Sequence, residues 1–496
     1  MHSRALRFSP SATQLLALDA AVGVLAYAAA MWLRFLDEGV PGTYAQRLLP
    51  WLIVGALVQV GVGEMMNRLR KPGSVLAHRP LAPFLVGGLV ALVPTAFNEL
   101  LGEPWHLPHS VAIVAPLLAV AGSAALRLAA SRTFDAEELL HRPIVELDVA
   151  ACAPALAGKR VLITGGAGSI GAELARQVLA VRPSSVVAVD MNETGLYELE
   201  GDLAALGAGV LRTCIADVAD ERRMHELFLR ERPQVVFHAA AYKHVPLVEA
   251  NPDQAFVSNV LGTLFICEAA VAAGVERIVV ISTDKAVNPS SFMGVTKRVA
   301  ELIATAAGER SAGSVFSVVR FGNVLGSRGS VIPTLVRQIE VGGPITITHP
   351  DVRRFFMTLS EAASLVLLSS VLGTPGGVFV LDMGHDVRIV DLAERLVRLK
   401  GLRVGRDIIV RTVGLRPGEK LREELCSADE TLVPTAHPAV RRVQTEHALD
   451  APRLIEGVRE LDAQRRAGAL EPADYATRLR LLIDTALQPP VTVLSS

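Results

Sequence analysis

The sequence predicts an α/β protein in parts: an N-terminal bundle of four transmembrane helices, then a doubly wound parallel sheet with a smaller C-terminal substrate domain. Three observations carry this expectation. Apolar residues make up 51% of the 496-residue chain although aromatics are 5% and charged residues 20%, and the aliphatic excess is concentrated in the first quarter. From Lys159 onward, short β-branched runs alternate with helix-period segments, as in a parallel sheet. A glycine-rich turn, Gly165-Gly166-Ala167-Gly168-Ser169-Ile170-Gly171, joins the first of these strands to the first of these helices.

Four apolar stretches lie in residues 1–130, about Gln14 to Leu33, Leu48 to Val62, Leu81 to Phe97 and Leu107 to Leu126. Each approaches the roughly 20 residues that a helix needs to cross a bilayer. Asp19 and Gln59 lie inside the first two and are expected to face another helix rather than lipid tails. Arg4 and Arg7 would also suit a signal peptide, but three more stretches follow without a cleavage site ahead of a soluble domain. Arg68, Arg70, Lys71 and Arg79 crowd the second connection, whereas the third carries Glu99 and Glu103 and no lysine or arginine. Arg127 and Arg132 follow the last stretch. This distribution places both ends of the bundle on the cytoplasmic side and makes membrane lipid an expected partner. The first connection is mixed, with Arg34 and Arg47 against Asp37 and Glu38.

A net charge of −1 and a pI near 6.9 give no electrostatic case for nucleic acid. The cysteines Cys152, Cys214, Cys267 and Cys426 show no CxxC spacing and read as reduced thiols. No HExxH pattern occurs, and no metal is expected. Residues 131–158, with an acidic piece at Asp135 to Leu140 and breakers at Pro143 and Pro154, read as a linker.

Lys159 to Thr164 is a short strand, and a helix begins after the glycines. Gly165, Gly168 and Gly171 let the backbone turn tightly and approach a pyrophosphate, whose charge suits the free N–H groups around Ser169 and Ile170 at the helix start. A second strand, Ser185 to Val189, ends in Asp190, about 20 residues beyond the last glycine, where a carboxylate bonds an adenosine ribose hydroxyl. Met191-Asn192 supplies no arginine for a 2′-phosphate, so NAD is expected rather than NADP. Leu211 to Val218 and Gln234 to Ala241 read as the third and fourth strands. Asp217, followed by Val218, is a candidate adenine contact and equally a candidate helix cap. Residues 159–320 are thus expected to form a Rossmann-type NAD-binding domain.

The stretch that organises the rest is Val279 to Pro289. Its apolar run reads as a buried strand, so Thr283, Asp284 and Lys285 leave the carboxyl edge of the sheet, where ligands bind. Met293 and Lys297 are four apart on the next helix and can face the same cleft. A strand-end acid and amine beside a helix-borne lysine suit proton transfer. A surface ion pair next to an ordinary amphipathic helix would show the same residues.

Six runs occur in one order: Thr164-Gly165-x-x-Gly168-x-x-Gly171; His238 to Pro246 (His-Ala-Ala-Ala-Tyr-Lys-His-Val-Pro); Ser282-Thr283-Asp284-Lys285-Ala286; Met293-x-x-x-Lys297; Arg320 to Ser330 (Arg-Phe-Gly-Asn-Val-Leu-Gly-Ser-Arg-Gly-Ser); and Arg416-Pro417-Gly418-Glu419-Lys420. In them the chain resembles the extended short-chain dehydrogenase/reductases, and within these the membrane-anchored UDP-N-acetylglucosamine 4,6-dehydratases of bacterial polysaccharide biosynthesis. The resemblance covers Lys159 to about Leu425. It departs in one respect: large members of that family usually carry another Rossmann-like domain where residues 131–158 stand here. Met293 replaces the superfamily's catalytic tyrosine, a replacement typical of the large dehydratases.

The resemblance implies a hydro-lyase that oxidises C4 of the sugar through NAD, loses water across C5 and C6, and returns the hydride to C6. Lys285 would take the C5 proton, Asp284 would protonate the departing hydroxyl, and Thr283 would bond the C4 oxygen. Lys297 would hold the nicotinamide ribose and assist C4 deprotonation. For Lys285 to act as a base its pKa must fall, which Lys297 and burial are expected to cause. Ala239 and Ala240 join the cofactor residues. Lys243, His244, Asn259, Asn323, Arg328, Arg416 and Glu419 are expected around the UDP-sugar, arginines being suited to its diphosphate. Arg353 and Arg354 read as either ligands or solvated side chains. Residues 321–450 would form the substrate-binding part and 451–496 a helical extension without a functional reading. The implied setting is the bacterial inner membrane, multi-pass, with the catalytic domain cytoplasmic. A second copy of the chain and other glycan-biosynthesis enzymes are the implied protein partners. A catalytically inactive membrane-tethered scaffold and a nucleotide-sugar 4-epimerase are the alternatives; an epimerase would be expected to keep the tyrosine.

Overall fold

The computed structural model describes residues 148–488 apart from residue 312, together with 6–8, 12–35, 108–130, 132–134 and scattered positions within 42–60 and 140–146. The chain divides into two compact units, 5–135 and 136–496.

In the first unit, helices Ala12–Arg34 and His109–Ala130 contribute to one apolar cluster, in which Tyr27, Ala30 and Met31 meet Trp51, Val111 and Ala115. Its polar groups point inward: Asp19 and Gln59 are each 2% exposed, and Gln59 Nε2 donates to the Ala119 carbonyl at 3.2 Å. Leu25, Trp32, Ile113 and Leu117 are exposed instead. The second expected span is described only at scattered positions and the third, Leu81 to Phe97, lies outside the described residues. Among the described residues, the one helical stretch long and apolar enough to cross a bilayer is Pro252–Ala272, 72% buried in the core of the other unit. A four-helix membrane bundle is therefore not what the described residues establish.

The second unit is built on a nine-stranded sheet: β1 (Arg160–Thr164), β2 (Ser185–Asp190), β3 (Leu211–Ile215), β4 (Val235–His238), β5 (Arg277–Ile281), β6 (Val315–Arg320), β7 (Gly377–Leu381), β8 (Glu430–Pro434) and β9 (Val440–Thr445). Their order is β8-β9-β7-β6-β5-β4-β1-β2-β3. Strands β1 to β7 run parallel, and β9 and β8 add an antiparallel edge. Side chains alternate across the sheet as the two-residue period requires. Leu162 and Val187 enter one core layer with Phe228 and Phe265, while Val161, Ile163, Val186 and Ala188 enter the other with Leu174 and Leu365. The third strand ends before its expected limit because Asp217 Oδ1 accepts from Ala219 N at 2.9 Å and turns the chain. The cap of the following helix is Asp220.

Of the expected linker, Arg142 and residues 144–146 and 148–158 belong to this unit. Arg142 forms a forked ion pair with the buried Glu361, at 2.6 and 3.0 Å. Helix Val149–Leu156, capped by Asp148, buries Cys152, Ala155 and Leu156. The C-terminal extension is two helices, Ala451–Arg466 and Pro472–Ala486. Their Leu454, Val458, Leu479 and Leu482 join the core layer containing helix Phe292–Arg310.

Candidate active site

Gly165 has φ +69°, and a Cβ there would lie 2.6 Å from the backbone of Ala239 and Ala240. The turn after β1 therefore abuts the loop after β4 only because a glycine stands at its first position. A Cβ at Gly171 would lie 2.1 Å from the Gly165 carbonyl, which seats the first turn of helix Ser169–Ala180 on the loop. Gly168 begins this helix, whose first N–H groups are thus left without a side-chain cap. Asp190 accepts from Ala167 N at Oδ2 and from Asn192 N at Oδ1, both at 3.0 Å. Val218 packs against Gly262, where a Cβ would lie 2.8 Å from Val218 Cγ2. Asp217 is exposed beside it.

The second element is the end of β5. Ser282 N and Asp284 N donate to the carbonyls of Val319 and Phe321 at 2.7 and 3.1 Å, carrying the chain along β6 into a single 3-10 turn, Asp284–Ala286, capped by Thr283. Helix Phe292–Arg310 starts against this turn: Ser291 Oγ caps Gly294 N at 3.1 Å, and a Cβ at Gly294 would lie 2.2 Å from the Lys285 carbonyl. Met293 is buried in the core. One turn later, Lys297 Nζ donates to the Ile281 carbonyl at 2.6 Å.

Asp284 is fully buried. Its Oδ1 accepts from Thr283 Oγ1 at 2.8 Å and from Lys285 Nζ at 2.9 Å, while Oδ2 has no partner. A Cβ at Gly322 would lie 2.9 Å from Oδ2, so the loop after β6 closes on the acid only as glycine. Lys285 Nζ also donates to Asn323 Oδ1 at 3.3 Å and lies 3.7 Å from Glu423 Oε1. Glu423 is 8% exposed, stands 3.8 Å from Arg354 Nε, and its Oε2 has no partner.

These surroundings set the protonation of each group. Burial lowers the Lys285 pKa, but the charges of Asp284 and Glu423 and the hydrogen bond to Asp284 outweigh it, and the net direction is upward. The expected lowering by Lys297 is thus corrected: two carboxylates hold Lys285 as an ammonium in the resting site. Lys297 shows the behaviour expected of the other lysine, since burial pulls it down to about 8 against the opposing charge of Glu301. Glu423 is pushed up, first by burial and then by Asp284, with Lys285 and Arg354 opposing. His238, between Thr164 Oγ1 at 2.7 Å and Thr263 Oγ1 at 3.1 Å, is lowered to about 3 by burial and by Lys297. It stays neutral and props the glycine loop.

Three expected substrate ligands have other work. Asn259 accepts from Tyr242 N at 2.7 Å and donates to Tyr242 O and Thr296 Oγ1, both at 3.0 Å. Its amide is spent on fixing the loop after β4, which leaves it no group for a sugar. Glu419 is taken by Thr348 Oγ1 at 2.8 Å, Arg354 at 3.1 Å and Arg416 N at 3.2 Å, and so clasps its own turn. Arg328, expected at the UDP-sugar, lies on the glycine loop: its N donates to Ser169 Oγ at 3.0 Å, Nη1 to the Ala167 carbonyl at 3.2 Å, and Nη2 to Glu198 at 3.0 Å. Among the described residues, Arg416 is exposed and its guanidinium has no partner. Lys243 and His244 are exposed on the loop after β4, His244 in contact range of Gly329. Arg354 is 6% exposed and thus not solvated.

Behind the turn lies a buried ionic group that sequence reasoning missed. Arg320, fully buried, pairs with both oxygens of Glu301 at 2.8 Å and with Glu430 at 2.7 and 2.9 Å. Arg298 joins both carboxylates, and Ser282 Oγ donates to Glu301 at 2.6 Å. The two arginines balance the two glutamates and tie the end of β5, the Lys297 helix and β8 together. Glu423 was also missed; the acidic continuation of the Arg416–Lys420 run, Leu421-Arg422-Glu423-Glu424, was the available signal.

Fold and site define a doubly wound α/β protein with a glycine-rich loop after β1 and a buried cluster of Asp284, Lys285 and Glu423 at the carboxyl edge of its sheet. The chain belongs to the polysaccharide biosynthesis protein family, whose profile matches residues 161–445. It is similar to the capsular polysaccharide biosynthesis protein CapD of Staphylococcus aureus, 45% identical over 315 residues, 63% of this chain and 52% of CapD. The chain thus spans about half the length of that relative. It is 46% identical over 279 residues to the uncharacterized membrane protein MJ1061 of Methanocaldococcus jannaschii, covering 55% of this chain and 81% of that protein. The X-ray structure of Pen from Bacillus thuringiensis is 32% identical, covers 58% of this chain and 88% of that one, and superposes with a TM-score of 0.53.

Proposed function

We propose that the chain is a nucleotide-sugar 4,6-dehydratase for surface polysaccharide synthesis, acting on UDP-N-acetylglucosamine with NAD. The observation that supports this most is the Asp284 carboxyl: fully buried, one oxygen held by Thr283 and Lys285 and the other without a partner. A surface ion pair would not desolvate an acid in this way.

The cradle fits a dinucleotide. Gly165 and Gly171 stand where a Cβ would collide, the helix at Ser169 has no side-chain cap, and Asp190 retains acceptor capacity beyond its two backbone bonds. Gly165, Gly168, Gly171 and Asp190 would hold NAD, which would supply the acceptor for the C4 hydride and its return to C6. Lys297, near pKa 8, takes the C4 hydroxyl proton at pH values where a free lysine could not. Thr283 bonds the C4 oxygen, and Met293 excludes a competing proton acceptor. Once C4 is a ketone the C5 proton is acidic, and Lys285 as an amine removes it. Lys285 passes that proton to Asp284 across their 2.9 Å contact, and Asp284 delivers it to the C6 oxygen, which leaves as water. Asn323, Lys243, His244 and Arg416 hold the sugar and its diphosphate, with residues 321–450 closing over them.

The N-terminal unit anchors the enzyme in the bacterial inner membrane. Asp19 and Gln59 face inward while Leu25, Trp32, Ile113 and Leu117 are exposed, a distribution that suits lipid. Reporter fusions after Arg70 and near Gly102 in opposite compartments would support four spans, and the same compartment would rule that number out.

Incubation with UDP-N-acetylglucosamine in deuterated water, followed by NMR, tests the reaction. A C6 methyl group and deuterium at C5 are expected. Asp284→Asn should allow C5 exchange yet stall loss of water. A product inverted at C4 with its C6 hydroxyl retained would make the chain an epimerase, and absence of any reduced nicotinamide would make it an inactive scaffold.

A further inference from the structure

We propose that Glu423 is the proton acceptor that converts Lys285 from ammonium to amine, so that the two residues together, rather than Lys285 alone, form the base for C5. This rests on the dehydratase reading above.

The difficulty it resolves is geometric. Lys285 Nζ sits 2.9 Å from one carboxylate and 3.7 Å from another, and an ammonium held there cannot take a proton. Its neighbour Glu423 is equally ill at ease as an anion, being buried with Oε2 unpartnered. An unsatisfied buried carboxylate oxygen is costly when ionised and much less so when it carries a proton. Moving one proton relieves both. An N–H bond of Lys285 breaks, an O–H bond forms at Glu423, and the pair passes from two charges to none. The Lys285 lone pair then takes the C5 proton and becomes ammonium again, while Glu423 keeps its proton until C5 is reprotonated.

The surroundings favour a balanced pair. Glu423 is carried by the segment after the Arg416–Glu419 turn, anchored by Arg353 N donating to the Leu421 carbonyl at 2.8 Å. Asp284 and Lys285 face it from the turn after β5, Arg354 from strand Arg353–Arg354, and Lys420 from its own segment. Arg354 is itself shared with Glu419 at 3.1 Å, so its charge is divided between two carboxylates. Burial and Asp284 favour the acid form of Glu423, whereas Lys285, Arg354 and Lys420 favour the anion. Closely coupled groups of this kind titrate as a unit.

The test uses the full-length protein with NAD and UDP-N-acetylglucosamine in deuterated water, comparing wild type with Glu423→Gln. Formation of reduced nicotinamide reports C4 oxidation, and deuterium at C5 reports the base. Glu423→Gln should oxidise C4 within about twofold of wild type. Its C5 exchange should fall by roughly a hundredfold at neutral pH and recover as pH rises and solvent deprotonates Lys285. Glu423→Asp should restore part of the neutral-pH exchange. Undiminished or faster exchange in Glu423→Gln would overturn the proposal, because Glu423 would then only hold Lys285 protonated. Loss of C4 oxidation along with exchange would overturn it in favour of a structural role. A wild type that oxidises C4 but exchanges nothing at C5 would sink the dehydratase reading and this proposal together, and is recognisable without any variant.

Discussion

Lys297 donates from Nζ to the main-chain carbonyl of Ile281 at 2.6 Å, immediately before the Ser282–Lys285 turn, so the helix-borne amine and the strand-end acid are positioned by the same piece of backbone. Burial lowers this lysine to about 8, with Glu301 pulling the other way. On the proposed role of Lys297 as acceptor of the C4 hydroxyl proton the amine is the active form, so C4 oxidation should be lost as pH falls below about 8 and should level off above it. The pH dependence of single-turnover reduced-nicotinamide formation checks this. Glu301→Gln removes a charge that raises the Lys297 pKa and should move the limb to lower pH. A limb near the free-lysine value, roughly 10.4, would remove Lys297 from the oxidation step.

Gly294→Ala should separate the Lys297 helix from the Asp284–Ala286 turn. The added Cβ would lie 2.2 Å from the Lys285 carbonyl, a backbone atom that cannot swing aside. Overpacking of this kind costs about 1–3 kcal/mol, and the displacement should also move Lys297 from the Ile281 carbonyl. The expected outcome is a lowered unfolding midpoint and a kcat loss with modest change in KM. Gly201→Ala, with nothing within 4 Å of its Cβ, is the control and should leave activity unchanged.

The buried quartet around Arg320 should dominate acid stability. Arg320→Leu strands Glu301 and Glu430 without their main partner, and breaking a buried pair from one side costs about 3–5 kcal/mol. Arg320→Lys keeps the charge but loses the fork, and should fall between. Burial raises the Glu430 pKa, but hydrogen bonds and charge from Arg320 take it down to about 2 from the usual 4.5. A depressed carboxylate contributes stability above its unfolded pKa and loses it as pH falls through the folded one. Wild type should therefore weaken between about pH 4.5 and 2, and Arg320→Leu should show less of that slope. Urea midpoints across this range measure it.

What was legible in the sequence was local. The glycine turn, Asp190 at the end of β2, and Asp284 leaving β5 are each fixed by spacing within one strand-turn-helix unit, and each lies at the expected sheet edge. Orientation was not legible. Glu419 and Arg328 sit in the expected runs and Asn259 lies outside them, yet the polar atoms of all three are used on backbone or neighbouring side chains, because a motif names a residue without saying where its amide or fork points. Pairings between distant segments were hidden for the same reason. Lys285 meets Glu423, and Arg320 meets Glu430, only after the chain passes through β7 and returns, and no short-range period records that. The Lys285 pKa expectation failed because the charge of Asp284, followed by that of Glu423, which was unseen in sequence, reverses the sign that burial alone would give.

Asp190 carries the last prediction. Its two oxygens already accept from Ala167 N and Asn192 N, each at 3.0 Å, and an ionised carboxylate has about four acceptor sites. Two remain for ribose hydroxyls, and the same charge repels a 2′-phosphate. Asp190→Ala should weaken NAD binding by roughly tenfold or more, since a hydrogen bond to a charged group contributes about 1.5–3 kcal/mol, and should narrow the gap to NADP. Asp190→Asn should recover little. It keeps one acceptor oxygen, but its amide nitrogen must then face one of the two backbone N–H donors. Equilibrium titration with NAD and NADP measures all three proteins without catalysis. Tighter binding of NADP than NAD by wild type would remove Asp190 from the ribose and shift attention to Arg328, which already lies on the same loop at the Ala167 carbonyl.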